Sequence, residues 1–234
     1  MIDQLIECAA KNLINSKYAI ALTGTGIFTE SGIPDFRGPS GVWTKNPEAE
    51  RKAYQNYERF TVDPKGWWLE RLNTQTPLED IEQVKPNAGH LALAELEHLG
   101  ILKCVITHNI DGLHEKAESS RLLEYHGSIL KLRRISCNSL FTRGDYDLQK
   151  LLENDMLPPH CLKCNGIVKT DGVAFGEPIP SDVASDSLEE VLKCDVMLIC
   201  GTSAVVFPFA NLPRLANGNT RMKESRELML RYLP

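Results

Sequence analysis

Apolar residues recur at helical spacing over residues 2–16, where Ile2, Leu5, Ile6, Ala9, Leu13 and Ile14 share one face. A continuous apolar run at 18–22 follows, bounded by Thr23-Gly24, and reads as a buried strand. The runs at 102–107 and 196–200 read the same way. Helical patterns precede both: 87–98, carrying Leu91, Leu93, Ala94 and Leu96, and 182–192. Strands alternating with helices predict an α/β fold built on an open, doubly wound parallel sheet. Each strand ends in small or polar residues: Gly24-Thr25-Gly26, His108-Asn109-Ile110-Asp111-Gly112 and Gly201-Thr202-Ser203. Ligands of such sheets bind outside the carboxyl ends of the strands, so three distant segments are expected to build one site.

Two stretches break the alternation. Residues 40–85 are polar, with Trp43, Trp67 and Trp68, and residues 134–171 hold three clustered cysteines. Both read as insertions beside the sheet that together form a smaller domain. This leaves 1–39, 86–133 and 172–234 to the sheet domain.

Composition narrows the class. At 42% hydrophobic and 24% charged, the 234-residue chain is too apolar to be disordered. It lacks the ~18 uninterrupted apolar residues of a membrane span. The start, Met1-Ile2-Asp3-Gln4, has no basic region ahead of an apolar one, so a secretory leader is not expected and a cytoplasmic location is. A net charge of −5 argues against sequence-independent nucleic-acid binding. Seven cysteines, an odd number, make a poor disulfide framework. Cys8, Cys104, Cys194 and Cys200 sit among apolar residues and read as buried thiols.

Individual residues carry candidate chemistry, each with a plainer reading beside it. Gly24-Thr25-Gly26 lacks the third glycine of the full dinucleotide fingerprint; it fits a phosphate-facing loop or a tight turn. Residues 29–38, punctuated by glycine and proline, suit a lid in which Phe36 covers a reactive carbon and Arg37 pairs with a phosphate. His126 is a general base near neutral pH or a structural histidine. In a strand-like segment Asn109 and Asp111 share a face with Ile110 opposite; they contact a ligand or cap a helix.

In combination these residues resemble the sirtuins, the NAD-dependent protein deacylases. The first signature is Gly24-Thr25-Gly26 with Glu30-Ser31-Gly32-Ile33-Pro34-Asp35-Phe36-Arg37-Gly38. Pro86-Asn87 with His90, then Thr107-His108-Asn109-Ile110-Asp111, look like the next blocks. Tyr125-His126-Gly127 matches the catalytic histidine motif, and Val173-Ala174-Phe175-Gly176-Glu177 resembles the substrate-binding strand. Gly201-Thr202-Ser203 with Val206 and Pro208 resembles the late nucleotide-binding motif.

The resemblance implies a Rossmann-like domain with a smaller inserted domain, made of a zinc ribbon and a helical module. It implies NAD as cofactor and an acyl-lysine protein or peptide as partner. The acyl oxygen attacks the nicotinamide ribose, nicotinamide leaves, and the acyl group passes to ADP-ribose through an alkylimidate. His126 is then the general base, Asn109 orients the ribose, and Asp111 holds the carboxamide in a pocket lined by Ile33 and Ile110. Phe36 shields the reactive face, and Arg37 assists the phosphates. Gly24, Thr25, Gly26, Gly201, Thr202 and Ser203 bind the nucleotide. Backbone at Val173, Phe175 and Gly176 pairs with an extended peptide.

This chain departs from the pattern at several places. Thr25 and Phe28 stand where the family has alanine and serine. The zinc ribbon wants two Cys-x2-Cys pairs. Cys161 and Cys164 form one, whereas the other retains Cys137 and has Arg134 at its first position. Zinc would rest on three thiols, with His160 or a water completing the set; the other reading is an eroded site whose three cysteines pack as apolar residues. Residues 222–233 look helical, and the apolar strand that follows the late motif in the family is absent, which would expose a sheet edge. The Tyr-x-x-Arg pair of sirtuins that prefer succinyl or malonyl groups is not matched at Arg71 and Thr74, so a neutral acyl group is expected. Two other activities share the scaffold: NAD hydrolysis or ADP-ribosyl transfer, and a degenerate NAD- or acyl-lysine-binding module without turnover.

Overall fold

The computed structural model describes residues 2–74, 79–218 and 220–224. The apolar runs become strands. They are β1 (Ala19–Thr23), β2 (Leu102–Thr107), β3 (Leu122–Glu124), β4 (Lys131–Arg133), β5 (Leu140–Thr142), β6 (Lys169–Thr170), β7 (Val196–Cys200) and β8 (Arg221–Glu224). Five of them form a parallel sheet in the order β3-β2-β1-β7-β8. Every residue of β1 is buried, as expected of a central strand covered on both faces. Ile20 and Leu22 point into one apolar layer with Met197 and Phe209. Ala19 and Ala21 point into the other, with Leu93 and Val105.

The strand order reverses beside β1, which has β2 on one side and β7 on the other. In register, Thr23 stands opposite Thr107 and Cys200, so the three strands end level with one another. Their loops therefore leave from one edge, the crevice where such sheets take ligands.

Nine helices surround the sheets among the described residues: α1 (Ile2–Ile14), α2 (Val42–Lys45), α3 (Pro47–Val62), α4 (Pro64–Asn73), α5 (Ala88–His98), α6 (Leu113–Lys116), α7 (Leu148–Glu153), α8 (Ser181–Lys193) and α9 (Leu212–Leu215). Local chemistry sets their starts. Asn46 and Asp63 cap α3 and α4, accepting from Ala49 N–H at 3.2 Å and Gly66 N–H at 2.9 Å, and each helix then opens on proline. Asn87 caps α5 through Gly89 N–H at 2.9 Å.

Helices α2–α4 and a three-stranded antiparallel sheet, β5-β4-β6, make the smaller unit. Helices α3 and α4 share one core with this sheet. Phe60, Trp67 and Trp68 pack with Leu132, Phe141, Leu157, Cys161 and Val168, and Trp68 Nε1 donates to the Val168 carbonyl at 2.9 Å. Lys131–Arg133 form the middle strand of the sheet, between β5 and β6.

Three expectations are corrected. Residues 221–224 form β8, parallel to β7, instead of opening a helix, and cover the edge expected to be bare. The signal was weak because Arg221-Met222-Lys223-Glu224 carries the charge of an edge strand and no apolar run. The rest of the helix-like stretch, 225–233, lies outside the described residues. Cys8 is exposed on α1, as are Leu5 and Ile6. Cys200 is half-buried, while Cys104 and Cys194 are buried as expected.

Candidate active site

A cavity of about 460 Å³ opens at the level ends of β1, β2 and β7. It lies within the range of small-molecule sites. It is lined by residues from all three strand-end loops, by 33–37, and by 170–177.

The first loop packs against the last. Gly24 N–H donates to the Cys200 carbonyl at 3.0 Å, and Gly26 N–H to Gly201 at 2.7 Å. A Cβ on Gly24 would stand 2.3 Å from His108 Nε2, and one on Gly26 2.8 Å from the Gly201 Cα. Gly201 has φ +63°, and a Cβ there would meet Ile27 N at 2.3 Å. These glycines therefore serve close approach of two loops. The amides of Gly24 and Gly26, expected to face a phosphate, are already used. Thr25, Thr202 and Ser203 line the cavity, and Thr202 Oγ1 accepts from Ala204 N–H at 3.1 Å. The Phe28 ring is buried in a cluster with Ile33, Ile81, Leu113 and Ile129 and lines the cavity.

After β2 the chain leaves strand geometry. Ile110 therefore lines the cavity together with Asn109 and Asp111, and does not lie on the opposite face. Asn109 Nδ2 donates to the Gly24 carbonyl at 3.0 Å, while its Oδ1 is buried without a partner. Asp111 Oδ1 accepts from Leu113 N–H at 2.7 Å at the start of α6, while Oδ2 is buried without a partner. Burial raises the Asp111 carboxyl above the ordinary value, against the pull of the Leu113 amide. Of the two roles weighed for Asp111, Oδ1 performs the capping, and Oδ2 is the oxygen left for a ligand.

His126 follows β3. Burial lowers its imidazole to about 4, opposed by a hydrogen bond to the His108 backbone. Its carbonyl accepts from Val173 N–H at 2.8 Å. The His108 ring stands 5.6 Å from it and stacks on Phe209 at 4.5 Å. Burial lowers His108 to about 3, and its Nε2 has no partner. In the sequence, only its place in the Thr107–Asp111 motif marks His108.

The opposite wall is aromatic. Phe36 packs on Trp43 at 4.6 Å, and Phe175 lies 4.3 Å from Tyr54 and 5.9 Å from Trp43. Arg37 lies over Trp43, pairs with Glu50 at 3.1 Å and donates to Tyr54 Oη at 3.2 Å, so protein groups already engage its charge. Residues 173–176 form a turn after β6 and not a strand. The Ala174 amide is bound by Glu177 Oε2 at 2.9 Å. Lys169 meets Glu177 at 3.1 Å, and Arg133 pairs with Asp171, so a buried ionic network holds this turn. Deeper in the cavity, Arg71 has no carboxylate partner among the described residues and lies over the Trp67 ring at 5.2 Å. Burial and the nearby Arg143 lower its guanidinium to about 10. Cys137, Cys161 and Cys164 gather elsewhere, in the small unit, with their sulfurs within 4.8 Å of one another.

The residues suit a nicotinamide–ribose group. Asn109 Oδ1 and Asp111 Oδ2 are acceptors left unsatisfied in one cavity, and ribose hydroxyls and a carboxamide NH2 are donors. Sheet order, crevice and unsatisfied groups together define a Rossmann-like protein with a second, cysteine-bearing unit. The profile of the Sir2 family matches residues 24–208, and the chain belongs to that family.

It is 41% identical over 204 residues to NAD-dependent protein deacylase 2 of Pyrobaculum aerophilum, covering 87% of this chain and 77% of that one. It is 39% identical to the NAD-dependent protein deacetylase of Saccharolobus solfataricus, covering 90% and 80%. A Sir2 homologue solved with ADP-ribose superposes with a TM-score of 0.72 at 38% identity, over 93% of this chain and 83% of that one. A Sir2–p53 peptide–NAD+ complex does so at 0.70 and 31% identity, over 92% and 83%. No helix among the described residues is long and apolar enough to cross a membrane.

Proposed function

We propose that this chain is an NAD-dependent protein-lysine deacylase that transfers the acyl group to ADP-ribose. The observation that carries the reading is the meeting of His126 with the unsatisfied Asn109 Oδ1 and Asp111 Oδ2 in one cavity. NAD supplies an electrophilic ribose carbon and nicotinamide as leaving group. Asn109 orients the ribose and Asp111 accepts from the carboxamide. Ile33 and Ile110 supply apolar walls that exclude water, and Phe36 does so over the reacting face. His126, neutral at pH 7 because burial holds it near 4, accepts the ribose hydroxyl proton. Thr25, Thr202 and Ser203 contact the phosphate–ribose region. The peptide runs against the 173–176 turn, beside Phe175.

Arg71 bears on the acyl group. A cation in the cavity without a carboxylate partner among the described residues favours an acyl chain that ends in one, against the neutral group expected from residue spacing. Succinyl-lysine peptide should therefore be turned over with a higher kcat/KM than acetyl-lysine peptide. Arg71→Met should reverse that order; equal values for both peptides in the native chain would overturn the preference.

The net charge of −5 supports a protein partner over nucleic acid. Free thiols at Cys104, Cys137, Cys161, Cys164 and Cys194 suit a reducing compartment such as the cytoplasm.

The deciding experiment measures nicotinamide release with and without acyl-lysine peptide, following deacylated peptide by mass. Equal yields of the two products are expected. Release without peptide indicates NAD hydrolysis. Release in neither arm, from folded protein, indicates a binding module.

A further inference from the structure

The small unit carries chemistry that the cavity does not use. Cys137 lies in the turn between β4 and β5, and Cys161 and Cys164 in the turn before β6. Cys137 Sγ is 3.7 Å from Cys161 Sγ and 3.5 Å from Cys164 Sγ. Two sulfurs bound to one tetrahedral zinc at 2.3 Å stand about 3.8 Å apart. Two of the three sulfur pairs match that spacing and the third lies within 4.8 Å, so the three thiols fit the ion.

The fourth vertex is different. Arg134 precedes Cys137 by the same three residues that separate Cys161 from Cys164. A guanidinium has no acceptor lone pair and is not deprotonated, so it cannot ligate. It lies against Gly166, where an added Cβ would stand 2.1 Å from Arg134 Nε. Its Nε is buried without a partner. His160, the other expected completion, has Nδ1 2.8 Å from the Asn165 carbonyl and is not part of the sulfur cluster. Cys137 and Cys164 are exposed, so solvent reaches the group.

We propose that these three thiolates hold one zinc ion whose fourth position is open, filled by water and exchangeable for a small thiolate, with Arg134 supplying charge in place of a ligand. Three thiolates on Zn²⁺ leave one negative charge, which the guanidinium offsets; four would leave two. In the exchange a thiol binds as thiolate, its proton passes to solvent, and the water leaves. Closed four-ligand sites are structural, whereas three protein ligands leave a position for an outside group.

The test uses the full chain with cobalt(II) in place of zinc. One metal per chain is expected, with a tetrahedral thiolate spectrum that shifts when 2-mercaptoethanol is added. Arg134→Cys should abolish the shift and tighten metal binding by about tenfold or more, since it adds a fourth metal–sulfur bond. A native chain that takes up no metal overturns the site. One that takes up metal but ignores the thiol overturns the open position. A response that survives in Arg134→Cys overturns the place given to Arg134. If that variant does not fold, the native titration decides alone.

Discussion

Asp111 shows how one side chain serves the fold and the site together. Its Oδ1 holds the Leu113 amide, and its Oδ2 waits unsatisfied in the cavity. Asp111→Asn keeps an oxygen for the amide and replaces the free acceptor with a donor. Unfolding should change little, because the cap survives. Nicotinamide release should fall by about 5- to 150-fold, the cost of leaving a ligand donor unmatched. A fall in thermal stability that accounts for the lost activity would contradict this division. His126→Ala should separate binding from chemistry in a different way. NAD should still protect the folded protein against heat, because Asn109 and Asp111 remain, while deacylation should be lost. Retained turnover would remove His126 from the general-base role.

At the scale of elements, legibility followed burial. The sequences of β1, β2 and β7 are short apolar runs because both faces of a central parallel strand are covered, and these were readable. The short strands β4, β5 and β6 were not, since two or three residues give no periodicity. The charged edge strand β8 reads as anything but a strand. Most proposed site residues were readable because ordered motifs mark them. Arg71 was set aside because a spacing in sequence does not say which helical face meets the cavity. Trp43, Trp67 and Trp68 read alike in sequence, yet Trp43 lines the site while the other two join α4 to the small sheet. Trp68 is 1% exposed and reaches across 100 residues to the Val168 carbonyl. Trp68→Ala should therefore cost about 3–5 kcal/mol and loosen helices and cysteine turns together. Hydrogen exchange should show protection lost in both 47–73 and 131–170. Loss confined to the helices would mean the two parts do not share a core.

Across the whole molecule, buried histidines tie stability to pH. Burial holds His90 and His126 near 4, and His108 and His114 near 3. In the unfolded chain each returns to about 6.5. As pH falls from 7 toward 5.5 the unfolded state takes up protons that the folded state refuses. Stability must therefore fall with pH in that window, by about 1 kcal/mol for each histidine. Asp111 and Glu124 act in the opposite sense, because burial raises their carboxyls and the folded state takes up their protons first. Four lowered imidazoles stand against these two raised carboxyls, so the histidines set the sign of the slope. His90 and His114 give this slope a purely structural part. Their rings are packed 4.8 Å apart beneath the sheet, and His114 Nε2 bonds to Thr23 Oγ1 at 2.9 Å. Urea midpoints measured from pH 7.5 to 5.5 should drop steadily, with the unfolded state binding several more protons than the folded one. His90→Gln should flatten the curve by close to one proton without touching the cavity. A midpoint independent of pH over this range would mean that the rings reach solvent and that the interior beside β1 is not sealed.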